Sequence, residues 1–97
     1  MTTTPSLAAL AAHFAGMPPV AAMQPRLDVW DAGVLRLRAP LAANINDKGC
    51  AFGGSMASLL TLVGWGLIEL GLEAEGLACD IYVGDSQIRY LAPLYDD

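Results

Sequence analysis

Asn46-Asp47-Lys48-Gly49-Cys50-Ala51-Phe52-Gly53-Gly54-Ser55 runs without a break into MASLLTLVGWGLIELG, residues 56–71. The first ten residues form a polar loop that narrows to two glycines. The next stretch places Met56, Leu59, Leu60, Val63, Trp65, Leu67 and Ile68 around nearly the whole circumference of a helix. A helix that is apolar on all sides is a buried one. The spacing predicts a helix from about Gly54 to Leu70, with Gly71 as the residue that ends it. Glu69, Glu73 and Glu75 mark its return to water. Residues 49–68 carry no charge and are long enough to span a bilayer. The run holds five glycines, Ser55, Ser58 and Thr61, and opens on a turn. It therefore reads as the central helix of a soluble domain rather than a membrane span.

Around this core the chain is short. Its 97 residues make one small domain, with residues 1–97 taken as a single unit. Hydrophobic residues are 55% and charged residues 15%, a balance that excludes an ordinary disordered tail. The net charge is −5, and the four arginines and one lysine are scattered, so neither nucleic acid nor a membrane surface is an expected partner. Cys50 and Cys79 lack metal-ligand spacing, and no motif calls for a metal or other cofactor. The N-terminus has no charged segment ahead of an apolar one, so a cytoplasmic location with reduced thiols is expected.

Upstream, residues 5–15 read as a helix capped by Ser6 and closed by Gly16, with Leu7, Leu10 and Phe14 on one face. Pro18-Pro19 predicts an extended connection. Gln24–Trp30 and Val34–Leu41 read as strands joined by the turn Asp31-Ala32-Gly33, with Leu27 and Val29 on the same face. Asn44–Gly54 is a loop with Asn46-Asp47 and Gly49 as its turn residues. Downstream, Cys79–Leu91 reads as a third strand. Ile81 and Val83 fall out of phase with Ile88 and Tyr90, which predicts a β-bulge or a turn at Gly84-Asp85. The fold class is α+β. Three strands leave an all-apolar helix short of cover, which other strands or another chain must supply.

The chemistry concentrates where the loop meets the helix. The first N–H groups of a helix lack internal partners and carry partial positive charge. Glycines let a ligand approach them closely. Such a site suits a carbonyl oxygen that gains negative charge. A loop-to-helix turn with no ligand fits the same glycines equally well.

The pattern N-x-x-G-x-x-F-G-G before a long apolar helix resembles the hotdog-fold thioester enzymes. PLAANINDKGCAFGGSMASLLTLVGWGL is similar, more narrowly, to the "putative thioesterase" hotdog domain, which occurs alone or behind an acetyltransferase domain. The likeness continues through Ile88-Arg89-Tyr90-Leu91-Ala92-Pro93 and covers nearly the whole chain. It implies a long central helix against an antiparallel sheet, and homodimers with sites at the subunit interface. It also implies acyl thioesters of coenzyme A or acyl carrier protein as substrates. Asn46 matches the family's loop asparagine, and Gly53 and Gly54 match its backbone oxyanion donors. Phe52, Ser55 and Ser58 would line the acyl pocket, although close helix packing explains Ser58 as readily.

Thr61 stands where many hydrolytic members carry an acid on the helix. Hydrolysis needs a base or nucleophile, which a threonine alone does not provide. Decarboxylation of a malonyl thioester needs only stabilisation of an enolate, for which neutral Asn46 and Thr61 suffice. The resemblance to members associated with malonyl-acyl-carrier-protein decarboxylation places that reaction slightly ahead of thioester hydrolysis. Asp47 is the candidate base if hydrolysis occurs, while Lys48 and Arg89 could meet a carrier phosphate or a malonyl carboxylate. Trp65 reads as core, and Cys50 and His13 as packing residues. Relatives continue for two or three strands beyond the Pro93 position, so the hotdog is expected to lack its C-terminal strands. A non-catalytic fragment that keeps the loop is therefore the other class of reading.

Overall fold

The computed structural model describes residues 6–31 and 33–97. Pro5 and Ala32, on which parts of the first-helix and hairpin-turn expectations fall, lie outside the described residues. Helix α1 (Leu7–Ala15) opens on Ser6, whose Oγ accepts from the Ala9 N–H at 3.1 Å, and ends at Gly16. The two prolines that follow do not extend the chain. They occupy the first turn of a second helix, α2 (Pro18–Met23). A proline lacks only an N–H that the first turn leaves unused, and its fixed φ already suits a helix.

Strands β1 (Arg26–Asp31) and β2 (Val34–Arg38) form an antiparallel hairpin, with Gly33 at φ +77° in its turn. The register shifts between Leu27 and Val29, which makes Asp28 an extra residue on β1. This bulge corrects the expected alternation. Leu27 still faces inward opposite Leu37, but Trp30 replaces Val29 on the inner face, opposite Leu35. A bulge flips every later side chain to the other face.

A 3₁₀ turn (Leu41–Ala43) leads into the polar loop, and helix α3 follows over Gly53–Ala74. Gly71 lies inside this helix rather than after it. The helix ends at Gly76, φ +72°, where Gly76 N–H donates to Glu73 O and Leu77 N–H to Leu72 O. That pair of bonds is a Schellman termination, which needs the left-handed residue.

The core gathers where α1, α2 and the second half of α3 meet. Leu10, Phe14, Val20 and Leu70 are buried together, with Leu35, Leu62 and Trp65 packed against them. Gly66 lies where α3 meets α1 and β2: an added methyl would stand 3.0 Å from Leu10 Cδ2 and 3.1 Å from Leu35 Cδ2.

Two further expectations fail. First, α3 is not buried all round. Leu60, Leu67 and Ile68 are exposed, and only Gly66 and Leu70 are fully covered. By length and composition α3 could also cross a membrane, yet one side of it rests on β2 and the core. Second, Cys79–Leu91 forms no strand, because a ladder needs a neighbouring strand and the described residues offer none there. The segment from Leu77 onward instead runs as a strap back along α3. Trp65 Nε1 donates to Ile81 O at 3.1 Å, Tyr90 OH donates to Gly53 O at 3.1 Å, and Ala51 N–H donates to Leu94 O at 2.7 Å. The sheet therefore has two strands.

Candidate functional site

The loop ahead of α3 is built by two asparagines. Asn46 Oδ1 accepts from the N–H groups of Lys48 and Cys50 at 2.8 and 3.1 Å, and its Nδ2 donates to the buried Cys50 Sγ at 3.1 Å. Asn46 N–H donates to Cys50 O, and Ile45 bridges Ala51, so residues 45–51 close into a small ring with Gly49 at φ +81°. These bonds hold the Asn46 amide in one orientation. They leave one of its Nδ2 protons for another acceptor.

Asn44 is buried and works at longer range. Its Nδ2 donates to Met23 O and Pro40 O, both at 2.9 Å, and its own carbonyl oxygen accepts from Phe52 N–H at 2.7 Å. It thus ties α2, the exit of β2 and the entry to α3 to one another. Sequence reasoning placed Asn44 only at the start of a loop, since a buried asparagine and a turn asparagine look alike in one sequence.

Helix α3 begins without a side-chain cap; its N-cap residue is Phe52. The first N–H groups at Gly53 and Gly54 are left for an incoming oxygen. Two rings flank them. An added methyl on Gly54 would meet Phe52 Cε2 at 2.6 Å, and one on Gly53 would meet Tyr90 Cε1 at 3.5 Å. Glycine at these positions therefore leaves room for rings close to the helix end. Tyr90 had been placed only on the expected strand.

The other expected site residues are not all brought to this point. Thr61 lies eight residues beyond Gly53, about 12 Å along the helix axis. Its Oγ1 donates to Ala57 O at 2.9 Å, so its proton is engaged within the helix. Ser58 is exposed on α3. Asp47 points to solvent, 79% exposed, and pairs with Lys48 at 3.2 Å. His13 stacks on Trp65 with ring centroids 5.2 Å apart, well separated in role from the Cys50–Asn46 contact. Among the described residues no group of three His, Cys, Asp or Glu side chains stands together as a metal site.

A cavity of about 430 Å³ opens between β2 and the first turns of α3. Ser55, Met56, Leu59 and Val63 line its helix side, Leu37 and Arg38 its strand side, and Asn44 and Ala51 its loop end. Of the three expected pocket residues, Ser55 lines this cavity; Phe52 and Ser58 do not.

A long helix resting on an antiparallel hairpin, with an uncapped glycine N-terminus beside an apolar cavity, is an α+β arrangement of hotdog-like type. Residues 8–97 match the family model described as "Putative thioesterase (yiiD_Cterm)", and the chain belongs to that family. It is similar to the crystal structure of a "putative thioesterase" from Shewanella oneidensis, with TM-score 0.90 and 35% identity over 93% of this chain and 67% of that one. It is also similar to a protein of unknown function from Chlorobaculum tepidum TLS, with TM-score 0.88 and 34% identity over 92% of this chain. The present chain spans 55% of the length of that second protein.

Proposed function

We propose that this protein acts on acyl thioesters of coenzyme A or acyl carrier protein, and that decarboxylation of a malonyl thioester is its reaction. The observation that carries the reading is the uncapped start of α3 at Gly53-Gly54, beside a loop whose fixed side chain is the neutral Asn46. The thioester oxygen would sit against the Gly53 and Gly54 N–H groups. As the C–C bond to the carboxylate breaks, CO₂ leaves and its electron pair passes into the thioester enolate. The N–H groups and the free Asn46 Nδ2 proton stabilise the enolate oxygen. A solvent proton then completes the acetyl thioester. No base is consumed, which suits a loop whose acid, Asp47, is turned to solvent and paired with Lys48.

The distance of Thr61 from the helix start supports a site completed by a second protomer, with Thr61 supplied across a homodimer interface. Hydrolysis is the second reading, favoured by the family description itself. Its water would need a base brought near the loop.

Mass spectrometry of malonyl-acyl carrier protein separates the two readings. Conversion to the acetyl form is expected with the native chain and should be lost in an Asn46→Ala, Thr61→Ala double variant. Release of the whole acyl group would replace decarboxylation by hydrolysis. An unchanged mass from folded protein would leave a non-catalytic module.

A further inference from the structure

The two N–H groups at the start of α3 belong to different peptide groups. The Gly53 N–H shares its peptide with Phe52 O, and that oxygen accepts from Met56 N–H at 3.0 Å. The Gly54 N–H shares its peptide with Gly53 O. This second peptide is the harder one to hold. It joins two residues that lack Cβ atoms and have the greatest backbone freedom, at a helix end that no side chain caps.

One side chain reaches this peptide from outside the helix. Tyr90 OH donates to Gly53 O at 3.1 Å. Its ring lies beside the Gly53 Cα, where an added methyl would stand 3.5 Å from Cε1 and 3.7 Å from Cζ, ordinary contact distances. The peptide is trans, so its N–H points away from its oxygen. Tyr90 therefore grips the peptide from behind and leaves the N–H side open. The segment that carries Tyr90 is itself tethered on both sides. Downstream, Leu94 O accepts from Ala51 N–H at 2.7 Å, and Asp97 Oδ1 accepts from Leu41 N–H at 2.7 Å. Upstream, Ile81 O accepts from the Trp65 indole at 3.1 Å.

We propose that Tyr90 is a positioning residue for the thioester site: through Gly53 O it fixes the orientation of the Gly53–Gly54 peptide and strengthens its N–H as a donor to the substrate oxygen. A hydrogen bond accepted at one end of an amide polarises the group and strengthens the bond donated at the other. A helix offers a carbonyl at this position one donor, the N–H four residues on. The tyrosine adds a second, on the oxygen's other lone pair. The proposal rests on the thioester reading above and says how one of its oxyanion donors is held. Tyr90 acts through the peptide and not on the substrate. The enolate oxygen carries more charge than the thioester carbonyl it comes from, so a better oriented donor favours the transition state over the bound substrate. Losing the hydroxyl therefore acts on kcat rather than on KM.

Tyr90→Phe keeps the ring and deletes the hydroxyl. The side chain is 56% exposed, so the fold should hold, and an unchanged urea midpoint checks that it does. Two measurements on the full chain test the proposal. In the 15N spectrum the Gly54 amide nitrogen is expected to move upfield, while those of Gly64 and Gly66, further along α3, stay in place. With malonyl-acyl carrier protein, kcat should fall about 3- to 10-fold, the effect of one hydrogen bond, with KM unchanged. Tyr82→Phe, on the same strap but 84% exposed, should change neither reading. A Gly54 nitrogen that stays in place would overturn the proposal. So would a shifted Gly54 with native kcat, or a loss that appears in KM alone.

Failure of the parent reading looks different. If the chain hydrolyses thioesters instead of decarboxylating them, the same oxygen gains charge in the tetrahedral intermediate, and the same fall in kcat upholds the role of Tyr90. If the native chain turns over no thioester, the thioester reading falls. The Gly54 response then decides the grip on the peptide by itself, a shift upholding it and a fixed resonance overturning it.

Discussion

Gly66 and Gly71 sit five residues apart on one helix and are kept for different reasons. A methyl on Gly66 would press on Leu10, Leu35 and Phe14, and Leu10 and Phe14 are buried and unable to give way. A methyl on Gly71 would meet nothing within 4 Å. Glycine within a helix costs about 0.5–1 kcal/mol relative to alanine. Gly71→Ala should therefore raise stability by about that amount, whereas Gly66→Val should lower it by about 1–3 kcal/mol through overpacking. Urea unfolding of both variants checks the pair. A sequence shows the same letter at both positions. That is why Gly71 reads as a helix end, while the true end at Gly76 is recognisable only by its positive φ and the two bonds that close it. Asn46 is the contrasting case. Its turn position was legible in the chain and its place in N-x-x-G-x-x-F-G-G came from the family resemblance, but its bonds to Lys48, Cys50 N and Cys50 Sγ were not legible.

Among the elements, the hairpin, α1 and the start of α3 follow from local signals: Ser6 as a cap, Gly33 in a turn, two glycines before an apolar run. The elements that departed from expectation are those decided by neighbours. Pro18-Pro19 opens a helix because α2 has α1 to pack on, and Asp28 bulges so that Trp30 can join the core. The strap after Leu77 has strand composition but no strand beside it, so it holds to α3 by single contacts. One of these is the Trp65 indole on Ile81 O. Trp65→Phe should keep the packing in the core and lose that bond, worth about 1 kcal/mol. Limited proteolysis within residues 78–90 should then quicken while α3 stays intact. Unchanged cleavage there would show that the indole does not hold the strap.

The whole molecule is elongated, with extents of 50 × 25 × 25 Å and a radius of gyration of 14.3 Å. A folded monomer of this mass exposes about 5,300 Å², whereas this chain exposes 6718 Å². The difference exceeds the roughly 800 Å² that each partner buries in a standard protein–protein interface. Leu60, Leu67 and Ile68 on the outer side of α3 account for part of it. Exposed apolar patches of that kind promote association. Sedimentation should therefore show concentration-dependent self-association, and a Leu67→Glu, Ile68→Lys variant should shift the equilibrium toward monomer. A monomer at all concentrations would assign that face no role in assembly.

By itself the sequence determined the α+β class, the long helix, the hairpin, and a turn loop at Asn46 and Gly49 ahead of a glycine pair. Those features depend on residues close together in the chain, where period, caps and turn chemistry act directly. Tertiary structure alone decided which side of α3 is covered and which side of β1 turns inward. It also decided whether the last twenty residues pair, and that Asn44 ties α2, the exit of β2 and the entry to α3 together. Each of those outcomes depends on which surfaces, distant in sequence, are present to meet, and a single chain of letters carries no distance between them.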